Sequence, residues 1–330
     1  MTGVGISYRK PFLQKGGMII MNTYFDNQIK SWLNNHIRVK VKPSTYDGYD
    51  YRVSKYLSPY FKEMRIEEIT VDDIQIFIST LKNEKTNEEL SANTIQGIIR
   101  TMAYFYDYCV ETNKVDKNPC LKVFLPKGKA KKITTFTKRE KQIILETVKK
   151  QAKPRSYLVL TALLTGMRLG ELCSLKWKNV DMKNGLIHVQ TTNRRIYIED
   201  NKTKVVTTSP KTDYSMRIIP ISKHLLAVLR SLRKTESEYV FCKTNGKGYD
   251  NRGIQKYFRL LLIDLGIAGK SFHTLRHTFA TTAIEARMDV KTLSMMLGHS
   301  SVTTTMNLYV HPNETHTRKA MEDLSSFMLE

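Results

Sequence analysis

The chain is poor in several things that would have pointed elsewhere. Its 330 residues include only four cysteines, Cys109, Cys120, Cys173 and Cys242, and no two of them form a C-x-x-C pair. That spacing argues against a zinc finger or a disulfide framework and suits a reducing cytosol. No apolar run approaches the ~18 residues of a membrane span. Met18-Ile19-Ile20-Met21 is too short for a signal-peptide core, and no cleavage motif follows it. There is no glycine-rich nucleotide-binding loop and no internal repeat. Acidic residues are outnumbered, with 31 Asp and Glu against 53 Lys and Arg, for a net charge of +22. That imbalance implies a polyanionic partner, either nucleic acid or an anionic membrane surface. A soluble, cytoplasmic protein is expected.

The charge is unevenly placed. Residues 22–120 hold 13 basic and 14 acidic side chains, whereas residues 121–330 hold 37 and 17. The excess is densest at Lys127, Lys129, Lys131, Lys132, Lys138, Arg139 and Lys141. Such a run is either a solvated linker or a segment that tracks a phosphate backbone, and composition leaves both open.

Apolar spacing predicts helices in the first region. Phe25, Ile29 and Trp32 share a stripe, as do Tyr46, Tyr49, Val53, Tyr56 and Leu57. Thr70 caps a third helix, with Asp72 and Asp73 in the first turn, where the helix dipole favours acids. Ser91 opens a fourth, and Asn118-Pro119 ends the region. The aromatic stripes read as bundle core rather than base-stacking surface. Residues 121–135, with Pro126 and Gly128, read as a basic linker. Beyond it, Thr137 and Glu140 form a capping box ahead of Ile143, Ile144 and Val148. The period then shortens to two over 186–191, 194–198, 204–208 and 216–221, which predicts one small antiparallel sheet. Helices resume at Ser222. The expected fold is mainly α with a small antiparallel β-sheet. Its parts are a leader over 1–21, expected to be disordered, a helical domain over 22–120, the linker, and an α+β domain over 136–330.

Three local motifs carry chemistry. In Thr165-Gly166-Met167-Arg168-Leu169-Gly170-Glu171-Leu172, Gly166 interrupts an apolar helix and Arg168 and Glu171 stand three apart. In His273-Thr274-Leu275-Arg276-His277, His273 and Arg276 repeat that spacing. A zinc site on His273 and His277 would need a third ligand and the glutamate of a metalloprotease helix, and neither is evident. In Leu297-Gly298-His299-Ser300, the histidine is followed ten residues later by Tyr309.

Together these stretches resemble the catalytic boxes of the tyrosine recombinases, or phage-integrase family: TGMRLGEL, HTLRHTFAT and MLGHSSVTTTMNLYVH. SPKTDYSMRIIPI is similar to the family's catalytic β-hairpin, and residues 22–120 look like its helical, SAM-like core-binding domain. The resemblance covers residues 22–328 and implies a recombinase that cuts and rejoins double-stranded DNA through a 3′-phosphotyrosine, without metal, cofactor or ATP. It implies that Arg168 and Arg276 grip the scissile phosphate, a task suited to a planar, permanently charged fork. By the same resemblance, Lys211 protonates the leaving 5′ oxygen, His273 and His299 hydrogen-bond the phosphate, Tyr309 is the nucleophile, and Glu171 orients Arg168. Lys202 and Lys204 compete with Lys211, which is preferred because Ser215, Arg217 and Pro220 follow it in the family's hairpin pattern. A leader of 21 residues is too short for an arm-binding domain, which suggests a compact, Xer-type form. Also implied are a C-shaped clamp around the duplex and a tetramer on DNA, joined through a C-terminal helix near 316–328. The chain is expected as a monomer when free, with accessory DNA-bending factors allowed. Two enzymatic alternatives share the chemistry, a type IB topoisomerase and a telomere-resolving enzyme. A non-catalytic DNA-binding descendant is weighed against them, and the complete residue set counts against it.

Overall fold

The structure, a computed structural model, describes residues 23–84, 86–128, 133–197, 203–208, 215–233, 236–309 and 314–329. The expected leader, Lys202 and Lys211 lie outside the described residues. The chain divides into two compact units, residues 1–130 and 131–330.

In the first unit, α1 (Phe25–Trp32) runs through a wide π-type turn, Leu33–Ile37, into α2 (Arg38–Lys40). Pro43 opens α3 (Pro43–Arg52), and a second wide turn, Val53–Leu57, leads to α4 (Ser58–Phe61). Then come α5 (Val71–Thr80) and the 20-residue α6 (Ala92–Glu111). Thr70 accepts from the Asp73 amide while the Asp73 carboxylate accepts from the Thr70 amide at 2.8 Å, so two orphan donors are satisfied at one helix end. Ser91 caps α6 by a single bond, its hydroxyl accepting from the Thr94 amide. The aromatic stripes are core. Phe25 packs on Phe61 at 5.3 Å and edge-on to Phe105 at 5.5 Å, and the buried Tyr106 hydroxyl donates to the Ile66 carbonyl. Buried rings in edge-to-face pairs contribute beyond their area.

The second unit begins with α7 (Lys138–Gln151), α8 (Pro154–Thr165) and the short α9 (Leu169–Cys173). The Thr137–Glu140 capping box opens α7. Strands follow: β1 (Val180–Asp181), β2 (Leu186–Val189), β3 (Thr192–Tyr197), β4 (Thr203–Thr208) and β5 (Arg217–Pro220). The remainder is helical: α10 (Lys223–Leu232), α11 (Asn251–Asp264), α12 (Phe272–Glu285), α13 (Val290–Leu297), α14 (Val302–Tyr309) and α15 (Glu314–Leu329). Helix α12 packs on α8 and α13 over a core that includes Leu158, Leu172, Phe258 and Leu275.

The single sheet expected from the alternation is two sheets. One is antiparallel in the order β1-β2-β5; the other is the separate hairpin β3-β4. The reason is apolar content. β2 buries Ile187 and Val189, and β5 buries Ile219, so these strands have a face to press on the core. Among the described side chains of β3 and β4 only the polar Asn193 is buried, so these strands press no apolar face on the core. The hairpin is instead tethered at its base, where Asn193 Nδ2 donates to the Cys173 carbonyl and Ser174 Oγ to the Thr191 carbonyl. Lys204 is exposed on β4.

Among the described residues no helix is long and apolar enough to cross a membrane, and no group of three His, Cys, Asp or Glu is placed to hold a metal. All four cysteines are free and buried.

Candidate active site

The site forms where helix ends meet. Helix α8 stops at Gly166, whose φ of +65° is the left-handed conformation that glycine adopts without strain. A β-carbon there would stand 2.5 Å from Phe279 Cδ1. The reversal places Arg168 at the N-cap of α9, and Glu171 reaches back to it. One carboxylate oxygen accepts from the Arg168 amide at 2.8 Å, the other from its guanidinium at 3.0 Å.

Glu171 is 3% exposed, and a carboxylate so buried needs its full charge matched. Arg217, from β5, supplies the rest. Its Nη1 and Nη2 donate to the two oxygens at 3.0 and 2.8 Å, and its Nε donates to the Met296 carbonyl at 2.6 Å. Burial opposes ionisation of Glu171, but Arg217 and then Arg168 outweigh it and hold the acid below its ordinary range.

Arg276, on α12, is 3% exposed. Its Nη1 donates to the Gly166 carbonyl at 2.8 Å and its Nη2 to the Leu297 carbonyl at 2.7 Å. Arg168 donates to the next carbonyl, that of Gly298, at 3.2 Å. Two guanidiniums thus hang from consecutive peptide units at the end of α13. Burial, then the charge of Arg168, lowers the Arg276 pKa to about 9, which still leaves it charged at neutral pH.

The histidines flank this pair. His299 follows Gly298, and its Nδ1 lies 2.8 Å from Thr305 Oγ1 on α14. Burial and the charges of Arg276, Arg168 and Arg217 push it down to about 4. His273 opens to solvent with its ring edge-on to His277, centroids 4.6 Å apart, and crowding by protein together with His277 and Arg276 also pushes it to about 4. Both are therefore neutral donors at physiological pH. Tyr309 ends α14, 6% exposed, in a small apolar cluster with Ala280, Ala283, Leu293 and Leu297. Burial raises its phenol, and the fields of Arg276 and Arg168 pull it partly back.

Arg168, Glu171, His273, Arg276, His299 and Tyr309, drawn from three sequence motifs, are thus brought together. Two further residues belong with them. Arg217 entered the sequence reading only as part of a hairpin pattern. Its signal is alternation, since it shares a strand face with the buried Ile219. Sequence spacing presents His277 only as a zinc partner for His273. Its Nδ1 lies 2.7 Å from the Tyr309 oxygen, a contact across 32 residues that no local pattern announces.

A mainly helical fold in which two guanidiniums are fixed on backbone carbonyls, within electrostatic reach of a tyrosine late in the chain, defines the class: this is a tyrosine recombinase, an enzyme that breaks and rejoins DNA. The family model for the phage integrase family matches residues 124–316, and that for the N-terminal SAM-like domain of phage integrases matches residues 25–82; the chain belongs to the phage integrase family. Among curated proteins it is similar to a XerC-like tyrosine recombinase of Caldanaerobacter subterraneus subsp. tengcongensis, 29% identical over 91% of this chain and 82% of the relative. It is also similar to the ICEBs1 integrase of Bacillus subtilis, 26% identical over 86% and 77%. In fold it is similar to the Tn1549 transposon integrase in complex with a circular intermediate DNA, with a TM-score of 0.77 at 20% identity over 92% of this chain and 100% of that one. A lambda integrase tetramer bound to a Holliday junction gives 0.64 at 18% over 84% and 77%. These matches do not favour the topoisomerase-like alternative.

Proposed function

We propose that this protein is a site-specific recombinase that cleaves and rejoins duplex DNA to integrate or excise a mobile element or to resolve joined DNA, with Tyr309 as its nucleophile. The observation that carries the reading is the pair Arg168 and Arg276, held on the carbonyls of Gly298 and Leu297, with the Tyr309 phenol in their field. Two fixed forks can bind the non-bridging oxygens of one phosphodiester and stabilise the charge that grows on a pentacoordinate phosphorus. Tyr309 Oη attacks the phosphorus, the bond to the 5′ oxygen breaks, and Lys211 supplies that oxygen's proton. His273 and His299, neutral at working pH, donate hydrogen bonds to the phosphate. Glu171 and Arg217 do not react; they hold Arg168 in place. The phosphotyrosine conserves the bond energy, so rejoining to a new 5′ hydroxyl requires no ATP.

On DNA the assembly we infer is a tetramer formed from free monomers in the cytoplasm, with DNA-bending helpers admitted. Helix α15 exposes Met321, Leu324, Phe327 and Met328, the last two at 79% and 75%. The same unit carries an apolar groove of about 610 Å³ between α7, α8 and α12, lined by Leu145, Leu163, Leu164, Phe279, Ala283 and Met288. An exposed stripe and an open groove on one chain fit each other across copies.

The test starts from a pool of nicked duplexes with a randomised core, incubated with the protein; duplexes trapped covalently are sequenced. One sequence should dominate, joined through its 3′ phosphate, and Tyr309→Phe should trap none. An adduct that persists in Tyr309→Phe, or trapping without sequence preference, overturns the reading.

A further inference from the structure

The Tyr309 phenol does not point into open solvent. It is paired, and its partner, His277, has no part in the mechanism above. The two ring centroids lie 5.7 Å apart, tilted at 50°, and His277 Nδ1 is 2.7 Å from the phenol oxygen. His277 stands one helical turn after His273 and next to Arg276 on α12, so the element that carries the phosphate-binding groups also carries the tyrosine's partner.

We propose that His277 is the proton acceptor and positioning partner of Tyr309: in the resting enzyme its Nδ1 accepts the phenolic hydrogen bond, and during cleavage it takes that proton. This inference rests on the reading of Tyr309 as nucleophile. The step balances as follows. The phenol O–H bond breaks and its proton passes to Nδ1. The oxygen lone pair forms the bond to phosphorus, and the bond from phosphorus to the 5′ oxygen breaks with its electrons staying on that oxygen. On religation the proton returns to the phenol.

The surroundings favour this direction. Among the described residues the titratable and charged groups found against His277 are His273 and Arg276 on its own helix and Tyr309 on α14, and Tyr309 itself is packed in an apolar cluster with Phe279, Ile284 and Leu308. Among the described residues no carboxylate acts on the ring, and burial and then Arg276 hold its pKa below the ordinary value of 6.5. The neutral ring has one nitrogen that accepts, and a protonated Tyr309 beside it supplies the donor. Proton removal in step with attack means that a buried phenol, itself raised by burial, never has to ionise in advance.

The experiment measures single-turnover adduct formation against pH on the duplex selected above, for wild type, His277→Asn and His277→Ala. Asparagine keeps a hydrogen-bonding atom near the Nδ1 position but takes no proton. Wild type should be flat at neutrality and lose rate only at a pH below the ordinary histidine value of 6.5, where the lowered His277 titrates. In His277→Asn the plateau should drop by about 10²-fold, the usual worth of a general base, and the acid limb should vanish while DNA binding is kept. Alanine should be slower still. Nitrogen NMR of the resting wild type should show Nδ1 unprotonated, a readout independent of how well the variants fold. A His277→Asn rate within a factor of about three of wild type with the same acid limb, or a protonated Nδ1, overturns the proposal. The Tyr309→Phe control separates the two readings: an adduct there removes the nucleophile assignment itself, whatever the His277 variants do.

Discussion

Arg217 meets Glu171 as a two-pronged pair, both terminal nitrogens on the two carboxylate oxygens, with the side chains 5% and 3% exposed. Neither group reacts in the mechanism above, yet they are among the most deeply buried charges at the site. Their bonds lead to Arg168. The one carboxylate that Arg217 neutralises also fixes Arg168 by its backbone and by its side chain.

Replacing Glu171 by Gln should therefore be costly although the shapes match. Arg217, 5% exposed, would lose its countercharge in a buried setting, and removal of one partner from a buried pair typically costs about 3–5 kcal/mol. Urea unfolding of Glu171→Gln should show that loss, and adduct formation should fall because Arg168 is released. A change of under about 1 kcal/mol would mean that the pair is not structural.

Gly166→Ala should destabilise for two separable reasons. The φ of +65° strains any L side chain, and the new methyl meets Phe279 at 2.5 Å. Substitution at a positive φ costs more than about 1 kcal/mol. Combining it with Phe279→Leu should recover the clash but not the backbone cost, and thermal melts of the three variants would separate the two. A Gly166→Ala chain melting with the parent would contradict both.

Acid should weaken the fold through His299 and His273. Both have folded pKa values of about 4, below the ordinary 6.5, so between those values the unfolded chain binds protons that the folded chain does not. Their contribution is complete above pH 6.5 and is lost as pH falls toward 4. The melting temperature should decline across that window, and His299→Gln should flatten the decline. A slope identical to wild type in His299→Gln would locate the acid sensitivity elsewhere.

A chain ending at Pro312 lacks α15 and its exposed apolar stripe. It should bind single sites and form the tyrosine adduct, but strand exchange between two sites should fall below detection. Recombination at the parental level would remove α15 from the assembly.

Local rules made much of the fold legible. The capping residues Thr70, Ser91 and Thr137 marked helix starts because a hydroxyl that satisfies N3 is a short-range feature. The six described candidate residues fall in three short sequence motifs, and the fold brings those motifs together. The split into two sheets was not legible, because alternation reports strands but not which strands share a face. Nor was the His277–Tyr309 contact: it depends on how α14 crosses α12, a matter of packing that neither segment encodes alone.

Arg276 stitches the chain as well as charging it. Its two terminal nitrogens close off the last carbonyls of α8 and α13, the negative ends of two helix dipoles. The cation we propose for the phosphorus is thus also a clasp between two helices more than a hundred residues apart, and the pocket comes ready-charged with the tertiary structure. Loss-of-function screens will consequently blur misfolding and chemistry at this position. A properly folded yet inert protein is better sought in Tyr309→Phe, which keeps the ring packed among Ala280, Ala283, Leu293 and Leu297 and gives up only the hydroxyl.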